Sequence, residues 1–144
     1  MAAHVFAYGS LMYAPVWQQV VGGRYHAARA SATGFQRQAV RGETYPGVVR
    51  AAGGLVLGRL YFDVRDEDLA RLDDFEGADY QRVSAELRLL DDSPSAAAGG
   101  AVRGDLYLYL DPGKLTGADW DQAWFEREGI TGFMATYCRP RGSG

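Results

Sequence analysis

The hydrophobic residues of the chain fall into short runs of strand length, separated by turns rich in glycine or proline. Most of these runs alternate hydrophobic and polar residues with the period of a β-strand. The predicted strands cover residues 5–8, 24–41, 46–49, 55–62, 80–90 and 102–110. Gly34 interrupts the second run and predicts a bend or bulge. We interpret the third and fourth runs as a hairpin that turns at Gly53 and Gly54.

Other stretches have the spacing of helices. Pro15 suits the first turn of a short helix over residues 15–21. Asp66 is a good N-cap for a second helix, which Gly77 ends. Two further short helices are predicted near the C-terminus from the spacing of large hydrophobic residues. These residues are Trp120, Trp124, Phe125, Phe133, Met134 and Tyr137.

Scattered short helices among five or six strands, without regular strand–helix alternation, predict an α+β fold. We expect a small, largely antiparallel sheet or β-barrel with the helices at its flanks. One domain should cover residues 1–138, with the loop over residues 91–101 as its most flexible segment. Residues 139–144 should form a flexible tail.

Composition narrows the classes of function. The chain has 144 residues and a net charge of −3, so it lacks the electrostatic footprint for nucleic acid or an anionic membrane, and we expect a small-molecule partner. We expect neither a signal peptide nor a membrane-spanning helix. The single cysteine, Cys138, fits a reducing cytoplasm. Lys114 is the only lysine and asparagine is absent, a bias typical of GC-rich bacterial genomes.

Several familiar active-site chemistries are excluded. Two histidines and one cysteine cannot build a Cys/His zinc cluster, and no glycine-rich phosphate-binding motif follows a strand. Ser10 lies in Tyr-Gly-Ser-Leu-Met, not in the Gly-x-Ser-x-Gly motif of a nucleophile elbow. A carboxylate and a backbone loop remain as candidates.

Glu76 is the candidate carboxylate because it extends a hydrophobic stripe. Leu69, Leu72 and Glu76 stand at positions i, i+3 and i+7, on one face of the predicted helix. Burial and the helix dipole would both raise the pKa of such a carboxyl group towards neutrality, where proton transfer is efficient. Asp73 and Asp74 point elsewhere, and we expect them to be solvated. The spacing leaves open a helix that ends earlier, with Glu76 as a surface acid.

The second candidate is the loop that follows the first strand. Gly9 comes directly after buried residues, and the backbone N–H groups of such a turn can bind an anion. On the residues alone, an ordinary tight turn is the simpler interpretation.

Together, these segments resemble a known family. The run Val5-Phe6-Ala7-Tyr8-Gly9-Ser10-Leu11 is similar to the N-terminal Tyr-Gly-Ser/Thr-Leu signature of the gamma-glutamylcyclotransferase-like proteins. That family includes the plant AIG2-like proteins and gamma-glutamylamine cyclotransferase. Three later blocks, residues 45–48, 58–61 and 72–82, resemble the family in the same order.

The resemblance implies a compact β-barrel with a pocket at its mouth. It also implies that Glu76 is the acid/base and that Tyr8, Gly9, Ser10 and Leu11 bind the substrate, largely through backbone N–H groups. In the implied reaction, the α-amine of a gamma-glutamyl group attacks its own γ-carbonyl, which releases an amine and 5-oxoproline. This reaction requires no metal or other cofactor, and we expect none.

Alternatives remain open for some residues and for the activity. Tyr80 and Arg82 share one face of a strand and either line the pocket or face solvent. The fold would also serve a binding module without catalysis, or an enzyme in which water replaces the α-amine. An unpaired, inward Glu76 would favour the enzyme over the binding module. The oligomeric state is left open.

Overall fold

The computed structural model describes residues 2–90 and 100–138, and within them five β-strands form a closed barrel in the order β1-β3-β2-β4-β5. The strands are β1 (Ala2–Ala7), β2 (Ala27–Ala39), β3 (Pro46–Arg65), β4 (Tyr80–Leu89) and β5 (Ala101–Tyr109). Neighbouring strands pair antiparallel, except that β1 and β5 pair in parallel where Val5 faces Asp105. The predicted α+β class with a largely antiparallel barrel is confirmed.

The hairpin predicted at Gly53 and Gly54 is wrong, because β3 is a single long strand. It pairs with β2 on both sides of a register shift, where residue 34 alone stands opposite residues 51–54. A β-carbon on Gly54 would lie 2.2 Å from the carbonyl oxygen of Phe35. The glycine pair therefore allows two strands to approach closely at a bulge and does not reverse the chain. The bulge predicted in β2 is confirmed.

Two helices follow the predicted positions closely. Helix α1 (Ala14–Val20) has Pro15 in its first turn, and helix α2 (Asp66–Glu76) ends where Gly77 adopts a φ of 75°. The predicted N-cap of α2 is wrong by one residue, because Asp66 is already helical and Arg65 precedes it as the cap.

The C-terminal helices form one continuous segment where two separate helices were predicted. An α-helical start, α3 (Gln122–Trp124), passes through a π-helical turn (Phe125–Gly129) into α4 (Ile130–Tyr137). Trp120 lies just before this segment and is buried, as are Phe125 and Phe133. The extra residue per turn of the π-helix carries the chain past Gly129 without a break.

Strand β1 separates two hydrophobic clusters. Phe6 of β1 and Tyr8, which follows the strand, belong to a cluster whose other members are all strand residues. Val5 and Ala7 belong to the cluster that includes the helices, in which Trp17 stacks on Tyr61 with ring centroids 3.6 Å apart. The helices thus cover one outer face of the barrel.

Some sequence predictions concern parts of the chain outside this description. Residues 91–99 of the predicted flexible loop and the predicted tail over residues 139–144 lie outside the described residues. The domain bounds therefore stay a prediction. Among residues 2–90 and 100–138, the structure contains no helix with the length and hydrophobicity that crossing a membrane requires.

Candidate active site

A cavity of about 290 Å³ lies at the end of the barrel where β1 and β5 finish and β3 and β4 begin. Helices α2 and α4 contribute its remaining walls. Its size suits a ligand of low molecular weight. All six residues predicted for the site line this cavity: Tyr8, Gly9, Ser10, Leu11, Glu76 and Tyr80.

Glu76 reaches the cavity because it is the last residue of α2. Leu69 and Leu72 are buried on the face of α2 that packs against the barrel, so the inward stripe predicted from the sequence is confirmed. Glu76 continues that stripe and is half-buried, with its accessible surface inside the cavity. The alternative interpretation, in which Glu76 is a surface acid beyond the helix end, is wrong.

The Glu76 carboxyl group has no partner among the described residues. Within the part of the chain that the structure describes, it makes no hydrogen bond and no ion pair. Burial, and secondly the negative charge of Asp73, raise the pKa of Glu76 from 4.5 to about 8. No donor among the described residues offsets either effect. A carboxylate without a partner inside a protein is favoured in its neutral form. Glu76 therefore exchanges its proton near neutral pH.

Asp73 is exposed, as the sequence predicted, but it is also paired with residues of two strands. Its two oxygens accept hydrogen bonds from Arg82 Nε at 2.9 Å and Nη2 at 3.2 Å, and Oδ1 accepts another from the Tyr107 hydroxyl at 2.7 Å. Arg82 Nη1 also donates to Asp105 at 2.7 Å. Asp73 thus joins α2 to β4 and β5. Arg82 is held by these two carboxylates and is not one of the residues that line the cavity.

The loop after β1 contains a short 3-10 turn, Ser10–Met12, and hydrogen bonds with two other strands hold Tyr8, which precedes it. The Tyr8 hydroxyl donates to the Tyr107 carbonyl at 2.6 Å, and Arg37 Nη1 donates to the Tyr8 carbonyl at 3.0 Å. The first N–H groups of a helical turn have no partner inside the turn. Those of Ser10 and Leu11 are therefore candidate donors to a ligand in the cavity.

Gly9 allows this loop to lie against the start of β3. A β-carbon at Gly9 would be 2.8 Å from Cγ and 2.9 Å from Cδ of Pro46. The Pro46 carbonyl accepts a hydrogen bond from the Tyr80 hydroxyl at 2.8 Å. Burial raises the pKa of Tyr80, so that its hydroxyl stays protonated and keeps this bond. Tyr80 also lines the cavity. Of the two arrangements that the sequence left open, lining the pocket or facing solvent, the structure has the first.

Sequence reasoning missed the rest of the lining. Besides Phe6 of β1, which also lies in a segment singled out by resemblance, five aromatic residues join the cavity from other elements: Tyr45, Phe75, Tyr107, Phe133 and Tyr137. Tyr45 and Phe75 fall within segments already singled out by resemblance, which was the available signal. The other three come from β5 and α4. The spacing of hydrophobic residues in these elements does not indicate contact with a cavity.

The chain that forms this cavity is similar in sequence to known proteins. A family model described as "Gamma-glutamyl cyclotransferase, AIG2-like" matches residues 5–122. AIG2-like protein D of Arabidopsis thaliana is 34% identical over 89 residues, which are 62% of this chain and 59% of that protein. Protein AIG2 C of the same plant is 29% identical over 120 residues, 82% of this chain and 68% of that protein. The match to AIG2-like protein D thus spans less than two thirds of its length.

Solved structures extend the likeness in fold. A solution structure of an Arabidopsis thaliana protein has a TM-score of 0.71 at 26% identity, over 95% of this chain and 80% of that one. An AIG2-like protein from Mus musculus has a TM-score of 0.62 at 24% identity, over 99% of both chains. A gamma-glutamyl cyclotransferase has a TM-score of 0.63 at 13% identity, over 100% and 92%. The bacterial origin predicted from composition is unsupported by these plant and mammalian relatives.

The contribution of Asp73 to the pKa of Glu76 is testable by removing one charge. Asp73→Asn should lower the pKa of Glu76 below that of the parent, because a like charge is lost while burial is retained. A ¹³C NMR titration of the glutamate carboxyl carbons measures the change.

The matched control is Asp74→Asn, which removes the same charge from an exposed position on the same helix. It should leave the titration of Glu76 close to that of the parent. Equal effects of the two substitutions would show that Asp73 has no specific influence on Glu76.

Proposed function

The chain belongs to the AIG2-like gamma-glutamyl cyclotransferase family, and from that premise we propose that it converts a gamma-glutamyl amide to 5-oxoproline and a free amine. One observation carries the proposal. Glu76 has no partner among the described residues, and it presents a carboxyl group with a pKa of about 8 to the same cavity as the loop after β1. A group with that pKa can both accept and return a proton at neutral pH.

The reaction is an intramolecular acyl transfer. The α-nitrogen of the gamma-glutamyl group forms a bond to its own γ-carbonyl carbon, and the bond from that carbon to the amide nitrogen breaks. One proton leaves the α-nitrogen and one reaches the departing nitrogen, so no water is consumed. Both reacting groups lie in one molecule, and the protein gains rate by holding the glutamyl chain folded for ring closure.

The loop after β1 supplies the donors in this proposal. Negative charge develops on the γ-oxygen during attack, and the substrate also carries an α-carboxylate. The N–H groups of Ser10 and Leu11, with the Ser10 hydroxyl, are fixed donors beside the cavity. Donors held in place before the reaction stabilise developing charge more effectively than donors that must reorient.

Glu76 moves the proton. Its carboxylate accepts a proton from the attacking α-nitrogen, and the resulting acid returns one to the departing nitrogen. A pKa near the working pH suits both steps, since the group is neither too weak a base nor too weak an acid. The causes of that pKa are burial and, second, the negative charge of Asp73, and no donor among the described residues offsets them.

This absence also separates the enzyme from the rival interpretation, a binding module without catalysis. A module that only holds an anionic ligand gains nothing from an unpaired acid in its pocket, and loses stability by keeping one. The arrangement around Glu76 therefore supports the enzyme. The alternative in which water replaces the α-amine would yield glutamate in place of 5-oxoproline, so the product distinguishes it.

Glu76→Gln tests the proton-transfer role directly. The substitution keeps the size of the side chain and removes its titrating group, so we expect folding and ligand binding to persist while turnover falls by at least ~100-fold. The parent's kcat/KM should rise with pH as Glu76 loses its proton near pH 8, and residual turnover of the variant should lack that rise.

The assay is release of 5-oxoproline from a panel of gamma-glutamyl amides, with a melting curve and a binding titration on both proteins. A variant that folds, binds and turns over at the parent rate would rule out the mechanism. A parent that binds these amides without turnover would favour the binding module.

Two substitutions in the loop test the predicted role of its backbone. Ser10→Ala removes one hydroxyl and should weaken ligand affinity by about 1 kcal/mol. Gly9→Val should weaken it much more, because the new side chain would collide with Pro46 and displace the loop. Affinity is measured by calorimetry with a gamma-glutamyl amide on the Glu76→Gln background. Equal losses for the two variants would show that the backbone of this loop does not bind the ligand.

A further inference from the structure

Arg37 of β2 is a mostly buried cation that contacts the residue before the loop after β1. Its side chain is 14% exposed, and its Nη1 donates a hydrogen bond to the Tyr8 carbonyl oxygen at 3.0 Å. Gly9 and the turn Ser10–Met12 follow Tyr8 directly. A charged donor therefore acts on the peptide group through which the chain enters this loop.

The rest of the Arg37 guanidinium group is fixed by residues around the start of α3. Nε donates to Asp119 Oδ1 at 3.0 Å and Nη2 donates to Asp119 Oδ2 at 3.4 Å, and two such bonds set the plane of the group. The guanidinium carbon lies 5.3 Å from the ring centroid of Trp120. Nη1 also donates to the side-chain oxygen of Gln122 at 3.4 Å. Arg37 is thus held in place independently of any ligand.

The bond from Arg37 fixes the direction of the next N–H group. A trans peptide group is planar, and its N–H points opposite to its C=O. The described residues contain no cis peptide bond, so the N–H of Gly9 points away from Arg37. Gly9 lines the cavity, and its N–H therefore joins those of Ser10 and Leu11 as a candidate donor to a ligand.

The charge of Arg37 strengthens this donor. A hydrogen bond to the oxygen of an amide polarises the amide and makes its N–H a stronger donor, and the effect is larger when the bond comes from a cation. Arg37 is not one of the residues that line the cavity, so it acts through the Tyr8–Gly9 peptide group. Its positive charge behind the loop also attracts an anionic ligand.

We propose that Arg37 is a positioning residue of the active site, which holds and polarises the Tyr8–Gly9 peptide group for binding of the substrate's negative charge. Asp119 and Trp120 keep the guanidinium group in place for this role. The inference rests on the proposed function and adds a residue outside the cavity. Arg37 contacts no reacting atom, and its effect reaches the ligand through the N–H of Gly9.

Two substitutions at Arg37 separate its charge from its bulk. Arg37→Met keeps an unbranched side chain and removes the charge and every donor, so kcat/KM for a gamma-glutamyl amide should fall by ~10-fold or more, the scale of a hydrogen bond to a charged group. Arg37→Lys keeps the charge and a donor, and it should recover part of that loss. Should Arg37→Met fail to fold, Arg37→Gln takes its place, with the same loss expected.

Arg50 of β3 offers a matched control. It is exposed, and its guanidinium carbon lies 5.5 Å from the ring centroid of Phe35, so Arg50→Met removes the same charge from an aromatic contact away from the loop. Its kcat/KM should equal that of the parent. In ¹⁵N–¹H spectra, the Gly9 resonance should move in Arg37→Met, move less in Arg37→Lys, and stay in place in Arg50→Met. A purely structural role would lower the melting temperature of Arg37→Met without moving kcat/KM.

The outcomes separate this inference from the proposed function. A folded Arg37→Met protein that releases 5-oxoproline at the parent kcat/KM would overturn the inference and leave the cyclotransferase intact, as would equal losses in Arg37→Met and Arg50→Met. Should the parent turn over no amide, the proposed function fails, and calorimetry with a gamma-glutamyl amide decides the inference. Weaker binding by Arg37→Met than by the parent and Arg50→Met then supports it. Equal binding, or no binding by the parent, overturns it.

Discussion

The carboxylate of Asp73 joins helix α2 to strands β4 and β5, and the geometry of the cavity depends on this interaction. Arg82 and Tyr107 bind Asp73 from the two strands. Glu76 follows one turn later, so the same contacts that fix the helix also fix the acid. They place a like charge near Glu76, which adds to the effect of burial on its pKa. One network thus helps to position the proposed catalytic group and adds to the rise in its pKa, of which burial is the larger cause.

The same network reaches the loop after β1. Tyr107 donates through its hydroxyl to Asp73 and accepts through its carbonyl from the hydroxyl of Tyr8. On the other side, Gly9 packs on Pro46, whose carbonyl holds Tyr80. The proposed proton carrier and the proposed anion-binding loop are therefore positioned by shared strands. Rigid support of this kind is what catalysis by orientation requires, because small displacements of the reacting atoms reduce the rate steeply.

Local patterns in the sequence predicted the positions of the helices and strands more accurately than the contacts between them. Strand period and helix period located β4, α2 and the inward position of Glu76, since each depends only on spacing along the chain. The pair Gly53-Gly54 suits a tight turn or a bulge equally, and only the pairing with β2 decides between them. The partners of Asp73 could not be predicted, because they lie 9 and 34 residues away in sequence. The contact of Tyr45 with Tyr137 could not be predicted, since α4 and the residue before β3 meet only in the folded chain.

The central claim is that Glu76 is unpaired and holds its proton to an unusually high pH, and the pH dependence of stability tests it most directly. Between pH 4.5 and about 8, the folded protein keeps a proton on Glu76 that the unfolded chain releases. The parent should therefore lose stability relative to Glu76→Gln across this range, with little further change in the difference above it. Denaturant unfolding of both proteins at each pH measures this difference in free energy. A difference that stays constant from pH 4.5 to 8 would show that Glu76 titrates normally and would contradict the account.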